Sequence, residues 1–458
     1  MIKPMTLSEQ YAAFIQGLEW SQLPPEVKQA SLDLFLDWFA NAVAGFDSPL
    51  ARALASLSPI HNLPGRALRA GDLQAAEPLW AALINASAVH ALEYDDSYRA
   101  GLYHPGAPVI AAAFSAACRQ EEGGTGLLAA MVAGYEISLR LASAINPSHY
   151  QLWHTTGTVG SFGAAAAAAR LFGLDLKQVV AALGLAGTQA AGLWEVLPSA
   201  PQAKNLHPAK AAYAGLLSAL LANQGIQGPA TIFEGRRGFF AATVPDPVDH
   251  GRCTQGLGMD WLILDTTFKA YPVCGHAMTP IEASLKLHGQ FDPTEIEAIE
   301  VRAHPVSLQV ASQRFPSDEA QAKFSIPYCV AVALLEGRVR QEEFSAEHIG
   351  SKQIESILNK IRLIPDDTLS TIPGRRPARV TISLPGERTL MATAEVRKGD
   401  PEQPMTPDEK RSKVITLIGQ PWRIKDVARL NERLSGLAET SNVLAWAEGL
   451  REVIEPNR

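Results

Sequence analysis

Apolar residues recur at helical spacing through the first 250 residues of the chain, most clearly between residues 25 and 45. That stretch carries apolar side chains on most of its faces: Leu32, Leu34, Phe35, Leu36, Trp38, Phe39 and Val43. Apolar residues three and four apart predict a helix, and a helix that is apolar on most sides is usually an interior one. Pro25 suits the first helical position. Thr6 and Glu9 form the capping box of an earlier helix. The pattern predicts a domain in which helices pack around helices.

A stretch of small residues follows between Gly157 and Leu174, where three glycines precede six consecutive alanines. Small side chains let helix backbones approach one another closely, so this stretch predicts a tightly packed helix. Its glycines also suggest a phosphate-binding loop. That interpretation is disfavoured because no strand precedes the glycines and no Gly-Lys-Ser/Thr follows them.

The pattern changes after about residue 266. Residues 296–303 alternate between apolar and polar, and residues 380–384 and 389–396 flank a Pro-Gly-Glu-Arg turn, which together predict a strand and a hairpin. Helices are predicted at about 279–290 and 328–336. We therefore expect a second domain of the α+β class.

Helix signals return near the C-terminus, where Thr406 supplies an N-cap, Pro407 the first helical position and Glu409 a capping-box partner. Periodicity alone leaves two alternatives for the last 50 residues. They either extend the second domain or fold back onto the first.

Composition supports two domains, since 458 residues exceed the size of one ordinary core. Only 19% of the residues are charged, below the value of about 25% that is typical of globular chains. This favours a large buried or subunit-covered surface, and hence an oligomer. A net charge of -7 argues against nucleic acid or an anionic membrane as a partner.

Location is indicated by the N-terminus, the apolar runs and the cysteines. The N-terminus is polar and lacks the apolar core of a signal peptide. The longest apolar runs fall short of the roughly 18 to 20 residues that span a bilayer. The four cysteines lie far apart without Cys-x-x-Cys spacing, which favours a reducing compartment over a zinc ribbon or a disulfide scaffold. We therefore predict a cytoplasmic protein without a membrane partner.

The segment from Glu93 to Pro108 concentrates the candidate chemistry. It places Glu93, Asp95, Asp96 and His104 between two strongly apolar stretches. A carboxylate beside an imidazole in a partly dry pocket is the usual arrangement for proton transfer. Adjacent helical residues point about 100° apart, so we expect Asp95 and Asp96 to perform different tasks. One is expected to cap a helix or turn and the other to take part in catalysis.

Other segments place polar groups in apolar or glycine-rich surroundings: 153–157, with His154; 204–208, with Lys204 and His207; 269–276, with Lys269, Cys274 and His276; and 325–328, with Tyr328. Each alone is weak, since a histidine at a helix start is often a cap and a lysine is mostly a surface charge. Asp95, Asp96, His104, His154 and His207 are also possible metal ligands. Since no His-x-x-x-His or Glu-x-x-His pair lies on one helix face, we predict no metal site.

Six strings, taken in order, resemble the MmgE/PrpD family. They are His90-Ala-Leu-Glu-Tyr-Asp-Asp-Ser97 with His104-Pro105, His154-Thr-Thr-Gly-Thr-Val-Gly160, Lys204-Asn-Leu-His207-Pro208, Phe233-Glu-Gly-Arg-Arg-Gly-Phe-Phe240, Phe324-Ser-Ile-Pro-Tyr-Cys-Val330, and Gly399-Asp-Pro401 with Pro404-Met405. The family includes 2-methylcitrate dehydratase, cis-aconitate decarboxylase and iminodisuccinate epimerase. Glu93 stands where members often have aspartate, and residues 274–276 also depart from the family pattern.

The resemblance implies a mainly α protein, with a large all-helical domain (1–267 with 405–458) and a smaller inserted α+β lid domain (268–404). It implies an active site in the cleft, a homodimer, and no metal or organic cofactor. It also implies site residues at Asp95 or its neighbour Glu93, Ser97, His104, His154, Lys204, Lys269, residues 274–276 and Tyr328. Asp96 and His207 are added from the segments described above, and the whole set is predicted to act on a small carboxylate substrate. The catalytic set is Asp95, Asp96, His104, His154 and Lys204, and the substrate-binding set is Glu93, Ser97, His207, Lys269, Cys274, His276 and Tyr328.

The expected function is that of a lyase that removes a proton beside a carboxylate, most readily a 2-methylcitrate dehydratase-like activity. We expect His104 or His154 to transfer the proton, with Asp95 or Asp96 orienting the imidazole. Lys204 and Lys269 are expected to stabilise the negative charge that develops on the substrate. The alternatives are epimerisation of an imino- or amino-dicarboxylate and decarboxylation of the cis-aconitate type. A dimer that binds an anionic metabolite without turning it over is a further alternative.

Overall fold

The computed structural model describes residues 4–57, 67–196, 201–369 and 375–457. It is mainly α-helical and divides into two compact units, which are described separately. One unit combines Met1–Thr267 with Thr406–Arg458, and the other is Phe268–Met405. The last 50 residues therefore belong to the first unit. The role of a lid for the second unit stays a prediction.

Helices make up most of the first unit. They are α1 (Leu7–Gly17), α2 (Pro25–Gly45), α3 (Pro49–Leu57), α4 (Pro78–Ala91), α5 (Gly106–Gln120), α6 (Gly124–Ile145), α7 (Thr155–Leu171), α8 (Leu176–Gly187), α9 (Leu206–Asn223), α10 (Phe239–Thr243), and, from the C-terminal segment, α11 (Pro407–Gly419), α12 (Val427–Ser435) and α13 (Val443–Glu448). The predicted helix at 25–45 and both predicted capping boxes, Thr6 with Glu9 and Thr406 with Glu409, are confirmed.

The mainly helical fold class is confirmed, and two short antiparallel ladders accompany the helices of the first unit. Strands β1 (Ala67–Leu68) and β2 (Ala75–Ala76) form one ladder, and β3 (Trp422–Ile424) and β4 (Ile454–Pro456) form the other. Strands of two or three residues are too short to show the alternation of apolar and polar residues by which a strand is recognised in a sequence.

The glycines of α7 allow the close packing that was predicted from them. A Cβ on Gly160 would lie 2.6 Å from Cγ of Pro108 on α5, and one on Gly163 would lie 2.7 Å from Cγ2 of Val109. On the facing helix α6, a Cβ on Gly134 would lie 2.6 Å from the Gly163 carbonyl oxygen. Any larger side chain would separate these three helices.

Helix α6 is long and apolar enough to cross a membrane, but 89% of its apolar window is buried inside the structure. It also holds a buried ion pair between Glu136 and Arg140. The Arg140 guanidinium donates to the carbonyls of Gln255 at 3.1 Å and Gly256 at 2.9 Å. These contacts are those of a buried core helix.

The second unit has a four-stranded sheet packed with helices. In sheet order the strands are β6 (Ile361–Pro365), β5 (Ala298–Ala303), β7 (Ala378–Leu384) and β8 (Arg388–Ala394), with β5 parallel to β6 and the other pairs antiparallel. The helices are α14 (Met278–Leu285), α15 (Pro305–Ala311), α16 (Glu319–Lys323), α17 (Ile326–Glu336), α18 (Ala346–Ile349) and α19 (Lys352–Lys360). The α+β class predicted for this region is confirmed.

The hairpin of the second unit matches its prediction, whereas two of its helices differ from theirs in their bounds. The predicted hairpin is confirmed, and its turn has φ values of 72° at Gly386 and 62° at Glu387. The helix predicted at 279–290 spans Met278–Leu285, and the turn that follows it includes Gly289 with a left-handed φ of 77°. The helix predicted to begin at Tyr328 begins two residues earlier, where Ser325 caps it.

Candidate active site

The candidate site is built on the loop between α4 and α5 in the first unit. Glu93 follows the end of α4 with a left-handed φ of 54°. That conformation costs a residue with a side chain about 1 to 2 kcal/mol and is common just after a helix C-terminus. Further along, Ser97 exchanges backbone hydrogen bonds of 3.0 and 2.7 Å with Thr267. The pairing with Thr267 thus holds the loop on the C-terminal side of Asp95.

Asp95 binds two imidazoles through one oxygen. Its Oδ2 lies 2.8 Å from Nδ1 of His90 and 3.4 Å from Nδ1 of His104. Both Asp95 and His90 are almost completely buried, whereas 17% of the His104 side chain is exposed. Burial opposes the ionisation of Asp95, but His90 and His104 outweigh it and hold the pKa of Asp95 well below its usual range. Asp95 is therefore a buried carboxylate anion.

The contacts of His104 fix its tautomer. Its Nδ1 lies 2.8 Å from the Asp96 carbonyl oxygen as well as 3.4 Å from Oδ2 of Asp95. A carbonyl and an ionised carboxylate only accept hydrogen bonds, so the Nδ1 proton stays on the ring. Nε2 of neutral His104 therefore carries the lone pair. This is the arrangement of a general base that is oriented by a carboxylate.

Asp96 performs a different task from its neighbour. Its Oδ1 accepts the backbone N–H of Gly106, the first residue of α5, at 3.0 Å. Its Oδ2 accepts the hydroxyl of Tyr135 at 2.8 Å. Burial, reinforced by the charge of Asp95, raises the pKa of Asp96 to about 8. The geometry favours Asp96 as the capping member of the pair and Asp95 as the orienting member.

Asp96 is expected to make folding stability fall as the pH rises between about 4 and 8. The folded protein keeps this proton up to about pH 8, whereas an unfolded chain releases it near pH 4. The folded state thus binds more protons in this window, and stability falls by up to about 1.4 kcal/mol per pH unit. Asp96→Asn should show a shallower decline than the wild type in urea unfolding at pH 5, 6, 7 and 8. Parallel declines would contradict the protonated state of Asp96.

His154 and His207 form a second imidazole pair. Their Nδ1 atoms are 3.0 Å apart, so one ring donates and the other accepts. Burial, followed by the nearby charge of Lys204, lowers the pKa of His207 to about 4 and that of His154 well below its usual value. Two neutral rings joined in this way place one proton on an Nδ1 atom and the other on an Nε2 atom. The pair therefore offers one Nε2–H donor.

The position of His154 at the start of α7 gives it no capping role, because its side chain makes no cap hydrogen bond. Its ring instead packs on Trp194 with a centroid distance of 4.4 Å and stacks on His90 at 5.7 Å. His90 in turn lies 4.8 Å from His104. Four imidazoles from four parts of the sequence thus line one cluster: His90, His104, His154 and His207.

Lys204 brings a buried positive charge to this cluster. It precedes α9 and forms an ion pair with Glu93, and both side chains are at least 90% buried. Its charge also acts on His90, His154 and His207. A buried lysine beside neutral imidazoles is suited to stabilising a negative charge that develops on a substrate.

His90 is a member of the cluster for which the sequence predicts no role. A histidine in the last turn of α4, five residues before an aspartate, is a weak signal by itself. Its Nε2 is buried and has no hydrogen-bond partner among the described residues. Burial, followed by the charge of Lys204, lowers the pKa of His90 to about 4, so neutral His90 donates its Nδ1–H to Asp95.

His90→Phe is expected to keep the ring volume and remove this donor. Leaving one hydrogen bond to a buried charge unmade costs about 1 to 3 kcal/mol, so the melting temperature should fall. His90→Asn, whose amide stands near the position of Nδ1, should recover much of this loss. Equal melting temperatures for His90→Phe and the wild type, measured by calorimetry, would contradict the role assigned to this hydrogen bond.

The remaining predicted residues lie in the second unit. Lys269 is 1% exposed and Cys274 is 7% exposed. Nδ1 of His276 lies 3.1 Å from Oγ of Ser307, and both ring nitrogens lie 2.9 Å from Nη1 of Arg376. The hydroxyl of Tyr328 donates to the Glu343 carbonyl at 2.5 Å, within the core of this unit. Substrate binding by these four residues stays a prediction.

A metal ion is the alternative ligand for the acidic loop. Within the part of the chain that the structure describes, His90, Asp95 and His104 offer ligand atoms within 4.8 Å of one another. Ligands on one tetrahedral zinc lie about 3.3 Å apart, given metal–ligand bonds of about 2.0 to 2.1 Å. The 2.8 Å between His90 and Asp95 is instead the length of a direct hydrogen bond. The trio fits proton transfer better than metal coordination.

Comparison with known protein families gives two matches along the chain. The profile of the MmgE/PrpD N-terminal domain matches residues 9–250, and that of the MmgE/PrpD C-terminal domain matches residues 271–432. The first match covers more than half of the chain and includes the whole His90–His207 cluster.

Curated relatives carry two activities in their names. The cis-aconitate decarboxylase-like protein oryM of Aspergillus oryzae is 27% identical over 95% of this chain and 96% of its own length. The cis-aconitate decarboxylase of Mus musculus is 26% identical over 90% of this chain and 86% of its own length. The 2-methylcitrate dehydratase of Cupriavidus necator is 25% identical over 65% of this chain and 62% of its own length.

Proposed function

Because the chain belongs to the MmgE/PrpD family, we propose that it is a lyase that breaks a bond next to a carboxylate in a small di- or tricarboxylate. The observation that supports this most is the pairing of a buried carboxylate–imidazole base with a buried lysine. His104 with Asp95 supplies the base, and Lys204 supplies the positive charge. A carbanion beside a carboxylate needs both a proton acceptor and a cation.

The leading candidate is dehydration of a 2-methylcitrate-like hydroxy acid, because this reaction needs an acid as well as a base. Nε2 of His104 takes the proton from the carbon next to a carboxylate, and the electron pair moves into that carboxylate beside Lys204. The Nε2–H of the His154–His207 pair then protonates the departing hydroxyl, and the proton that His104 gained restores the pair after turnover. The carbon–oxygen bond breaks, water leaves and an alkene forms.

The second candidate is decarboxylation of a cis-aconitate-like substrate. It is favoured by the relatives that match most of this chain, which bear that name. In this reaction the carbon–carboxylate bond breaks, carbon dioxide leaves, and the electron pair stays on the remaining carbon framework. The Nε2–H of the His154–His207 pair supplies the proton that this carbon takes up, and a proton from solvent restores the pair. The residues are therefore shared, and only the substrate and its orientation differ.

Proton NMR in D2O with separate samples of 2-methylcitrate, cis-aconitate and iminodisuccinate tests these candidates. A new alkene from 2-methylcitrate identifies the dehydratase. Loss of carbon dioxide from cis-aconitate identifies the decarboxylase. Deuterium entry at the α carbon without net conversion identifies the epimerase.

The control is Asp95→Asn protein purified in the same way, which detects contaminating activity from the host. A lyase or an epimerase requires turnover by the wild type that this variant lacks. If no substrate reacts while one of them still raises the melting temperature, the chain is an anion-binding protein. If none reacts and none binds, the proposed substrate class is wrong.

We also propose that the protein acts in the cytoplasm as a homodimer. Cys118, Cys253, Cys274 and Cys329 are all buried, and their spacing in the sequence is not that of a disulfide scaffold, which fits a reducing compartment. The low content of charged residues fits a surface that is partly covered by a second subunit. Light scattering on the purified protein should give twice the chain mass of 49.2 kDa, and a monomer mass would contradict the proposed assembly.

A further inference from the structure

The C-terminal segment contains none of the predicted site residues, yet Lys413 on α11 reaches the back of the candidate site. Its side chain is 2% exposed, and Nζ lies 2.8 Å from the carbonyl oxygen of Tyr94. Nζ also lies 3.9 Å from the centroid of the Tyr94 ring. Tyr94 stands between Glu93, the partner of Lys204, and Asp95, the partner of the two imidazoles.

The charge of Lys413 is balanced by Asp37 on α2. Oδ1 of Asp37 lies 2.6 Å from Nζ, and the carboxylate side chain is 6% exposed. Asn41, one helical turn further along α2, donates to Oδ2 of Asp37 at 3.2 Å and to the Tyr94 carbonyl at 3.5 Å. The Tyr94 carbonyl is therefore held from two helices, one near each end of the chain.

This contact is poorly explained as a means of stabilising the fold. A buried ion pair often contributes no more stability than well-packed apolar residues of the same size, because both charges lose their hydration. Lys413 donates one of its hydrogen bonds to a loop carbonyl. That carbonyl belongs to the residue before Asp95, whose Oδ2 must meet two rings at once.

We propose that Lys413 is a positioning residue for the acid–base cluster. Its Nζ binds both the Tyr94 carbonyl and the Asp37 carboxylate. These contacts fix the backbone that sets the direction of the Asp95 carboxylate. The C-terminal segment thereby completes a site to which it supplies no group that touches substrate. The effect on turnover depends on the proposed function, whereas the effect on the imidazoles does not.

The same two helices offer a matched control. Lys410 lies one turn before Lys413 on α11, and its Nζ is 2.8 Å from Oδ2 of Asp33, one turn before Asp37 on α2. This second pair is partly exposed, at 25% and 21%. Lys410→Met therefore removes a lysine–aspartate pair between the same helices at a position away from the Tyr94 carbonyl.

The test compares Lys413→Met with Lys410→Met in the full-length protein. Misplacing a catalytic group by about 1 Å costs up to about 10² in rate, so kcat of Lys413→Met should fall by about tenfold to a hundredfold. KM should stay within about twofold, because the lysine that faces the substrate is Lys204. In NMR titrations of histidine ring carbons, the His90 and His104 signals should shift in Lys413→Met and match the wild type in Lys410→Met.

Lys413→Met leaves the Asp37 carboxylate buried without its cationic partner, which risks misfolding. The double variant Asp37→Asn/Lys413→Met removes both charges, so it should recover the melting temperature while kcat stays low. Recovery of full kcat in the double variant overturns the proposal, as does an equal kcat loss in Lys410→Met. Unchanged histidine signals in folded Lys413→Met also overturn it. If the wild type turns over no substrate, the proposed function fails and the histidine signals alone decide the positioning role.

Discussion

Replacing Asp95 with asparagine is expected to lower kcat by about 10² to 10⁴. One oxygen of Asp95 faces the Nδ1 atoms of both His90 and His104. Asparagine carries no charge, so its amide oxygen accepts more weakly from both rings and does not stabilise His104 when that ring gains a proton. Steady-state kinetics on the substrate identified by NMR measure the loss.

The loss should come from the chemical step, so Asp95→Asn should change kcat far more than KM. Asp96→Asn is the neighbouring comparison. Its amide can still accept the Gly106 N–H, so its kcat should stay much closer to that of the wild type. Equal losses of kcat in the two variants would contradict the separate tasks assigned to Asp95 and Asp96. A folded Asp95→Asn protein with wild-type kcat would exclude Asp95 from proton transfer.

The helical part of the fold could be predicted because its signals are local. The apolar faces at 25–45 and the Thr6–Glu9 capping box depend on residues within a few positions of one another. The β1–β2 and β3–β4 ladders were missed because each strand is only two or three residues long. The placement of the C-terminal helices in the first unit depends on distant contacts such as Lys413 with Asp37, which no local pattern encodes.

The candidate site was predictable in its residues but not in its pairings. The polar segments around Asp95, His104, His154 and Lys204 stand out because their surroundings are apolar. Which groups meet is decided by tertiary packing. The contact of His154 with His207, and the roles of Asp95 and Asp96, required the positions of α5 and α7. His90 was missed because it looks like any other residue in the last turn of a helix.

Replacing Lys204 with methionine is expected to lower kcat/KM by about 10² to 10³, the loss typical of removing one group that stabilises developing negative charge. The same change leaves the Glu93 carboxylate buried without its partner. Removing one member of a buried ion pair costs about 3 to 5 kcal/mol, so the melting temperature should fall as well. Loss of activity alone would therefore leave two explanations.

The double variant Glu93→Gln/Lys204→Met separates them, because it removes both buried charges. Its melting temperature should return towards that of the wild type, while kcat/KM stays as low as in Lys204→Met. Glu93→Gln alone should keep Lys204 charged and retain far more activity than either variant that lacks the lysine. If the double variant regained wild-type kcat/KM, Lys204 would serve only to neutralise Glu93, and the negative charge on the substrate would have to be met by another cation.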